Sequence, residues 1–357
     1  MYESIEDVCI YFGQRLKHVR KLASFNLKEL SERIGIPLDV LSKYEKGSLM
    51  PDSSIIIKIA NELDVHPGWL LRPKPPVKLR VINYAKNITG INSKTRKDIV
   101  YNIQDWLERY IDIENIMSAT IPFNWNDFRR KIEKKEDVEN IAEDLRHEWG
   151  IGANPIANLT QIIEEKGIYI GITNLPEKIE VLSLLTVDNK PVIVIQNNIS
   201  GYLQRFSLAK GIGYLCLDMP KYWGNKIKEI VVSRFAMALI VPQSAVLNEL
   251  GGKLNHFGLD TFKVLSKKYG LNTQMWIYRA QDIGILSQEE AYRILVIMRK
   301  NQSETNHLED TLLQEYPSRM FALVQNALNT GVITENRYYE LIGQNIFAGL
   351  IDKTQFV

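Results

Sequence analysis

Along the first seventy residues, apolar positions recur at three- and four-residue steps in short bursts. Phe12, Leu16, Val19 and Leu22 form one helical stripe. Asn26 is a good N-cap, and the pattern after it predicts a helix over 27–34. Gly35-Ile36 predicts a tight turn, Pro37 at a first helical position opens a helix over 38–44, and Gly47 stops it. Pro51-Asp52-Ser53 starts a fourth helix and Val65-His66-Pro67 a short fifth. Pro75-Pro76 ends the segment in an extended stretch. A long amphipathic helix over 93–117 follows, with Ile99, Ile103, Trp106, Tyr110, Ile113 and Met117 on one stripe. That stripe reads either as a core-facing linker or as a dimer seam.

Beyond residue 120 the period changes. Helices are predicted over 136–149 and 155–166, the latter ended by Gly167. Alternating and β-branched runs predict strands over 168–172, 181–186 and 191–196, with Asn189 in the turn between the last two. Helices follow over 204–217, 260–269, 273–282 and 287–300, the last opened by a capping box at Ser287-Gln288-Glu289-Glu290. The polar run 301–306 reads as a linker before a helix pair over 317–328 and 331–343. The expected fold is therefore mainly α with a small β-sheet (α+β). Expected divisions are 1–72, an all-α head; 73–128, a proline-containing linker and connector helix; 129–300, a mixed core; and 301–357, a helical partner-binding tail whose apolar stretch 341–357 would dock on a partner.

Composition adds constraints. The chain of 357 residues is 45% hydrophobic and 24% charged, ordinary values for a globular protein. A net charge of +2 gives no overall nucleic-acid signal, but Phe12 to Arg80 carries thirteen Lys/Arg against seven Asp/Glu, a surplus that suits a phosphate backbone. Two cysteines, Cys9 and Cys216, do not make a disulfide framework. No apolar run approaches the roughly 20 residues that span a bilayer, and the acidic start lacks the basic and apolar regions of a signal peptide. The expectation is a cytoplasmic protein with no membrane association.

A short helix, a Gly turn and a second short helix is the helix-turn-helix arrangement, whose second helix enters the major groove. Phe12-Gly13, Leu16 and Arg20, then Leu30-Ser31, Ile34-Gly35-Ile36, then Leu41-Ser42-Lys43-Tyr44-Glu45-Lys46-Gly47 and Pro51 resemble the Xre/Cro-type repressors. The resemblance implies an Arg20–Glu45 ion pair and double-stranded operator DNA as partner. It also implies contacts from Asn26, Lys28, Leu38, Asp39, Val40, Ser42, Lys43 and Lys46, with Leu38, Asp39, Val40 and Lys43 on the exposed face. Of these four, Lys43 suits a guanine edge, Leu38 or Val40 a thymine methyl, and Asp39 a cytosine. Leu27 stands where many members of that family carry a phosphate-touching Gln. Such repressors pair to read two half-sites, so a homodimer is expected.

Gln204-Arg205-Phe206-Ser207-Leu208-Ala209-Lys210-Gly211-Ile212-Gly213-Tyr214-Leu215 has the frame of a zinc peptidase helix without its chemistry. H-E-x-x-H places two imidazoles on one helix face to hold zinc, with a Glu to handle the proton of bound water. Here Lys210 and Tyr214 stand at the His positions and Gly211 at the Glu position. Together with Leu182-Ser183, the strand from Pro191, Asn198 and Phe235-Ala236 to Pro242, this stretch resembles the ImmA/IrrE zinc-dependent peptidases, over about 136–284. The resemblance implies a zincin-like pseudo-peptidase core with a degenerate former metal site at Lys210, Gly211 and Tyr214. It expects no metal, no cofactor and no catalytic residue. Glu229 would keep the family's acidic-ligand position, while Val231 and Ser233 stand where acidic or amide residues are common. Cys216, Asp218, Glu229 and His256 are the nearby candidates for a rebuilt metal site, and Lys210 with Ser207 for a lysine-based one. His147-Glu148 lacks a second His at Ile151 and reads as surface.

The tail resembles that of Xre–ImmA/IrrE proteins, which are often encoded beside toxin genes. The reading is a DNA-binding transcriptional repressor and antitoxin whose dead peptidase-like core holds a cognate toxin or other protein partner. The alternatives are a metallopeptidase that cleaves a repressor or itself, and a scaffold without a DNA role.

Overall fold

The computed structural model describes residues 5–82, 92–176, 179–251, 257–304 and 312–343. Among these the chain divides into two compact units. The first takes in the described parts of Met1–Leu79, Asn87–Ala119 and Val324–Ile346; the second takes in those of Arg80–Lys86 and Thr120–Leu323. The expected divisions at 72, 128 and 300 cut the chain more finely.

The head is built from α1 (Ile5–Leu22), α2 (Leu27–Ile34), α3 (Leu38–Lys46), α4 (Ser53–Leu63) and α5 (Pro67–Leu70). Local chemistry sets its boundaries. Asn26 and Glu29 cap α2 reciprocally, Gly35 and Gly47 end α2 and α3 in the left-handed conformation, and Asp52 caps α4. Pro37 is the N-cap of α3 rather than its first helical residue. Phe12, Leu16, Val19, Leu30, Leu41, Ile59 and Trp69 share one buried core.

After the head come β1 (Leu79–Val81) and the connector helix α6 (Ser93–Ile116). Ile103, Trp106, Tyr110 and Ile113 are each at most 3% exposed, and α6 packs on α1 and on α17 (Glu335–Ile342). Four of the six stripe residues are thus buried within one chain, while Ile99 and Met117 are half-buried. Arg109 donates to the carbonyls of Leu341 and Ile342 at 2.6 and 2.7 Å and so caps the end of α17; Arg337 pairs with Asp112. The part of 341–357 beyond Gly343 lies outside the described residues.

In the second unit α7 (Trp125–Phe128), β2 (Arg130–Lys131), a short 3-10 turn, α8 (Val138–Glu148) and α9 (Leu159–Glu165) precede the sheet. The helix expected from 155 starts only at Leu159, after the cap Asn158, because the carbonyls of Ile156 and Ala157 accept from Arg205 instead of closing helical turns. The strands β3 (Tyr169–Thr173), β4 (Val181–Thr186) and β5 (Pro191–Gln196) combine with β1 in the order β1-β4-β5-β3. β5 is antiparallel to β4 and parallel to β3, and its residues Val192 to Ile195 are fully buried, as a centrally placed β-branched run requires. Asn189 takes a left-handed φ of 58° in the β4–β5 turn.

Helix α10 (Gly201–Cys216) crosses β4 and β5 and leads into β6 (Leu217–Asp218), which pairs with β2. α11 (Asn225–Ile240) packs along α10, followed by α12 (Gln243–Leu250), α13 (Leu259–Tyr269), α14 (Thr273–Asp282) and α15 (Gln288–Glu304). Ser287 and Glu290 form the expected capping box. Residues 301–304, expected as linker, continue α15. α16 (Arg319–Asn329) begins in the second unit and ends in the first. The fold is α+β, with an all-helical head, as the sequence predicts. Among the described residues no single helix is long and apolar enough to cross a membrane.

Candidate functional site

Two constellations carry chemistry, one in each unit. In the head, α1 crosses α3 so closely that a Cβ on Gly13 would lie 2.5 Å from the Tyr44 carbonyl oxygen. The crossing is locked by Arg20, which grips Glu45 through Nε and Nη2 at 2.5 and 2.9 Å and donates to the Phe25 carbonyl at 2.8 Å. Both partners are about nine-tenths buried, so the pair fixes the end of α3 against α1. This is the ion pair expected from the repressor resemblance.

The residues singled out on the recognition helix divide by exposure. Leu38 is 46% exposed, and Asp39, Lys43 and Lys46 are exposed. Val40, expected on the same face, is half-buried against the head core, and Ser42 is half-buried. Lys43 lies 3.5 Å from Asp39 one turn earlier, and Lys28 lies 3.8 Å from Glu32; both are exposed pairs, held weakly in water. The Oδ1 of Asn26 serves as the α2 cap, and Leu27 packs on the core.

The basic surplus is smaller at the surface than the count implies. Arg15 and Arg72 share Glu108 at 3.0 and 2.8 Å, Arg72 also holds Asp105 at 2.6 Å, and Arg33 holds Glu62 at 2.9 Å. Acids of α6, outside the counted stretch, neutralise the buried guanidiniums. Lys17, Lys21, Lys28, Lys43 and Lys46 remain exposed. α6 is also bolted on by Lys97, which donates to the Leu63 carbonyl at 2.9 Å, and by Tyr101, which accepts the His66 N–H at 3.0 Å.

In the second unit, α11 brings Glu229 to α10. One of its oxygens meets the Lys210 ammonium and the other the Tyr214 hydroxyl. Glu180 lies 3.9 Å from Lys210, and the Phe206 ring lies beneath the ammonium at 5.8 Å. Burial, followed by the bond to Glu229, holds the Tyr214 phenol above its ordinary value of 10, so it stays a protonated donor. A Cβ on Gly211 would come within 2.8 Å of Ile193 Cγ2 and 3.2 Å of Val181 Cγ2, both stiff β-branched side chains of the sheet. Ser183 Oγ donates to the Gly211 carbonyl at 3.1 Å.

This donor set does not suit zinc. An ammonium, a protonated phenol and one carboxylate already bonded to both leave no trio of nitrogen, sulfur or carboxylate ligands. The other candidates do not join them. Cys216 donates to the Phe128 carbonyl at 3.3 Å, and burial pushes its thiol up to about 12. Asp218 pairs with Arg129, and His256 lies outside the described residues. Among the described residues no three His, Cys, Asp or Glu side chains converge. Ser207 Oγ is buried without a hydrogen-bond partner, one turn from Lys210 on α10, while the Lys210 ammonium is committed to Glu229. His147 and Glu148 are exposed, as expected. The resemblance points to Glu229, but that its carboxylate bonds both Lys210 and Tyr214 depends on how α11 packs on α10.

A family model described as a helix-turn-helix domain matches residues 13–74. The HTH-type transcriptional regulator ImmR of Bacillus subtilis is 30% identical over 93 residues, covering 26% of this chain and 68% of ImmR. A putative HTH-type transcriptional regulatory protein of Pyrococcus abyssi is 25% identical over 162 residues, 44% of this chain and 47% of that protein. The HTH-type transcriptional regulator y4aM of Sinorhizobium fredii is 32% identical over 68 residues, 19% of this chain and 48% of y4aM. The chain thus spans about half the length of the latter two. No solved structure matches it. By its head and by its likeness to ImmR, the chain belongs to the Xre-type helix-turn-helix transcriptional regulators.

Proposed function

We propose that the protein is a DNA-binding transcriptional repressor whose second unit recognises a protein partner instead of hydrolysing one, and that it serves as the antitoxin of a toxin–antitoxin pair. The observation that carries the DNA-binding part is the capped helix-turn-helix with the Arg20–Glu45 lock, which holds α3 with Leu38, Asp39, Lys43 and Lys46 facing outward. Lys43 and Lys46 supply positive charge to DNA, and Asn26 and Lys28 at the start of α2 lie where a helix-turn-helix meets the backbone. Two copies would read two half-sites, using a face other than the buried stripe of α6.

The experiment is fluorescence anisotropy with a labelled fragment of the protein's own promoter. Lys43→Ala with Lys46→Ala is expected to weaken binding about five- to tenfold and to lower the salt slope by up to about two, as two positive charges leave the interface. Unchanged affinity and slope would move the DNA contact elsewhere.

For the second unit, the closed Lys210–Glu229–Tyr214 triad supports recognition over hydrolysis. With Gly211 in the Glu position, the motif's own base is missing, and the nearest carboxylate, Glu229, is bonded to Lys210 and Tyr214. The antitoxin role rests on the resemblance of the tail, and a toxic protein encoded by the adjacent gene is the outcome that supports it.

A further inference from the structure

The segment 312–318 has no regular secondary structure, yet side chains of the second unit read it as they would a bound peptide. Gln204, only 1% exposed, accepts the Glu315 N–H and donates to the Glu315 carbonyl, each at 2.6 Å. The Glu315 carboxylate receives Arg205 Nε at 2.6 Å and the Thr160 N–H at 2.7 Å, in a pair with both side chains over nine-tenths buried.

Arg205 is oriented without help from the segment. Its other nitrogens donate to the carbonyls of Ile156, Ala157 and Tyr269 at 2.7, 2.8 and 3.2 Å. Close approach is built in at Gly201, where a Cβ would lie 2.3 Å from the Leu312 oxygen and 2.5 Å from the Leu313 oxygen. The segment gives little apolar surface in return: Leu313 is 85% and Tyr316 is 40% exposed. Pairing of backbone and charge, not hydrophobic burial, selects what lies here. Once vacated, the groove would keep a buried amide and a buried guanidinium short of partners, a cost that any replacement of the same chemistry relieves.

We infer that Gly201, Gln204, Arg205 and Thr160 form a peptide-recognition site for an extended segment carrying a glutamate. The chain's own 312–317 fills it in cis, and a partner protein that presents an extended acidic segment competes for it. The inference rests on the reading of the second unit as a partner-holding module and supplies the chemistry of that partner. Val324 to Gly343 belong to the unit that contains the head.

The test uses the full chain with Glu315→Lys, which turns the cis segment against Arg205. A labelled peptide with the sequence of residues 311–318 is titrated in and followed by anisotropy. The wild type keeps its own segment at a millimolar-scale effective concentration and is expected to bind the peptide at least tenfold more weakly than the variant. A peptide with Gln in place of the glutamate is expected to bind the variant at least tenfold more weakly than the parent peptide. Absence of saturable binding to a folded variant, or equal affinity for both peptides, overturns the proposal. If Glu315→Lys does not fold, Glu315→Gln, of the same size, is titrated with the same expected order. Promoter binding by the same variant is measured alongside, so a failed peptide titration leaves the reading of the head intact. Stoichiometric zinc would instead sink the partner-holding reading.

Discussion

Three single residues carry more of this structure than their size suggests. Gly13 lets α1 lie against the α3 backbone, and an added methyl would meet the Tyr44 carbonyl at 2.5 Å. Gly13→Ala is expected to cost about 1–3 kcal/mol through overpacking, read as a lowered denaturation midpoint. Glu45 faces Arg20 where both are mostly buried. Glu45→Ala strands the guanidinium, with an expected loss of about 3–5 kcal/mol; a change under 0.5 kcal/mol would show that the pair is no lock. Tyr214 gives a pH signature. Its folded-state pKa is raised, so its contribution is fully present below the unfolded value near 10 and is lost as pH rises above it. The stability difference between wild type and Tyr214→Phe should therefore be flat up to about pH 9 and shrink above pH 10. A difference that grows with pH would contradict the buried, protonated phenol.

At the scale of elements, the boundaries legible in the sequence were those written in local chemistry. Asn26, Gly35, Gly47 and Asp52 each satisfy a helix end within a few residues, and the head follows the predicted pattern closely. The β-branched runs gave β4 and β5 at their observed limits. What sequence did not reveal depends on distant partners. β1 is three residues long, and the chain just past it pairs through the Ile82 N–H and the Ser183 carbonyl, a contact no local pattern announces. Residues 155–158 look helical until Arg205 claims two of their carbonyls. The frame of α10 was readable, but that Glu229 bonds both Lys210 and Tyr214 is a product of α11 packing. Restoring Lys210→His, Gly211→Glu and Tyr214→His is expected not to create a strong zinc site, because a side chain at 211 collides with Ile193 and Val181. Calorimetry would read this as no binding tighter than about micromolar, alongside a lower melting temperature.

At the scale of the molecule, a regulator's head shares the chain with a unit whose α10 and α11 are tied by the Lys210–Glu229–Tyr214 contacts. The tail does not form a separate domain among the described residues: α17 packs on α6 within the first unit, and 312–317 lies on the second. Each unit is thus completed by residues from late in the chain, so a truncation before residue 312 would remove the α6 contact and the Glu315 contacts together.

A second unit that recognises and does not hydrolyse should carry no zinc, and the metal content of the purified 357-residue chain checks this. The measurement is inductively coupled plasma mass spectrometry after purification without chelator, on the wild type and on Glu229→Ala. Zinc is expected below about one tenth of an equivalent in both, since Lys210 and Tyr214 supply no ligands. One zinc per chain in the wild type, lost in Glu229→Ala, would contradict it.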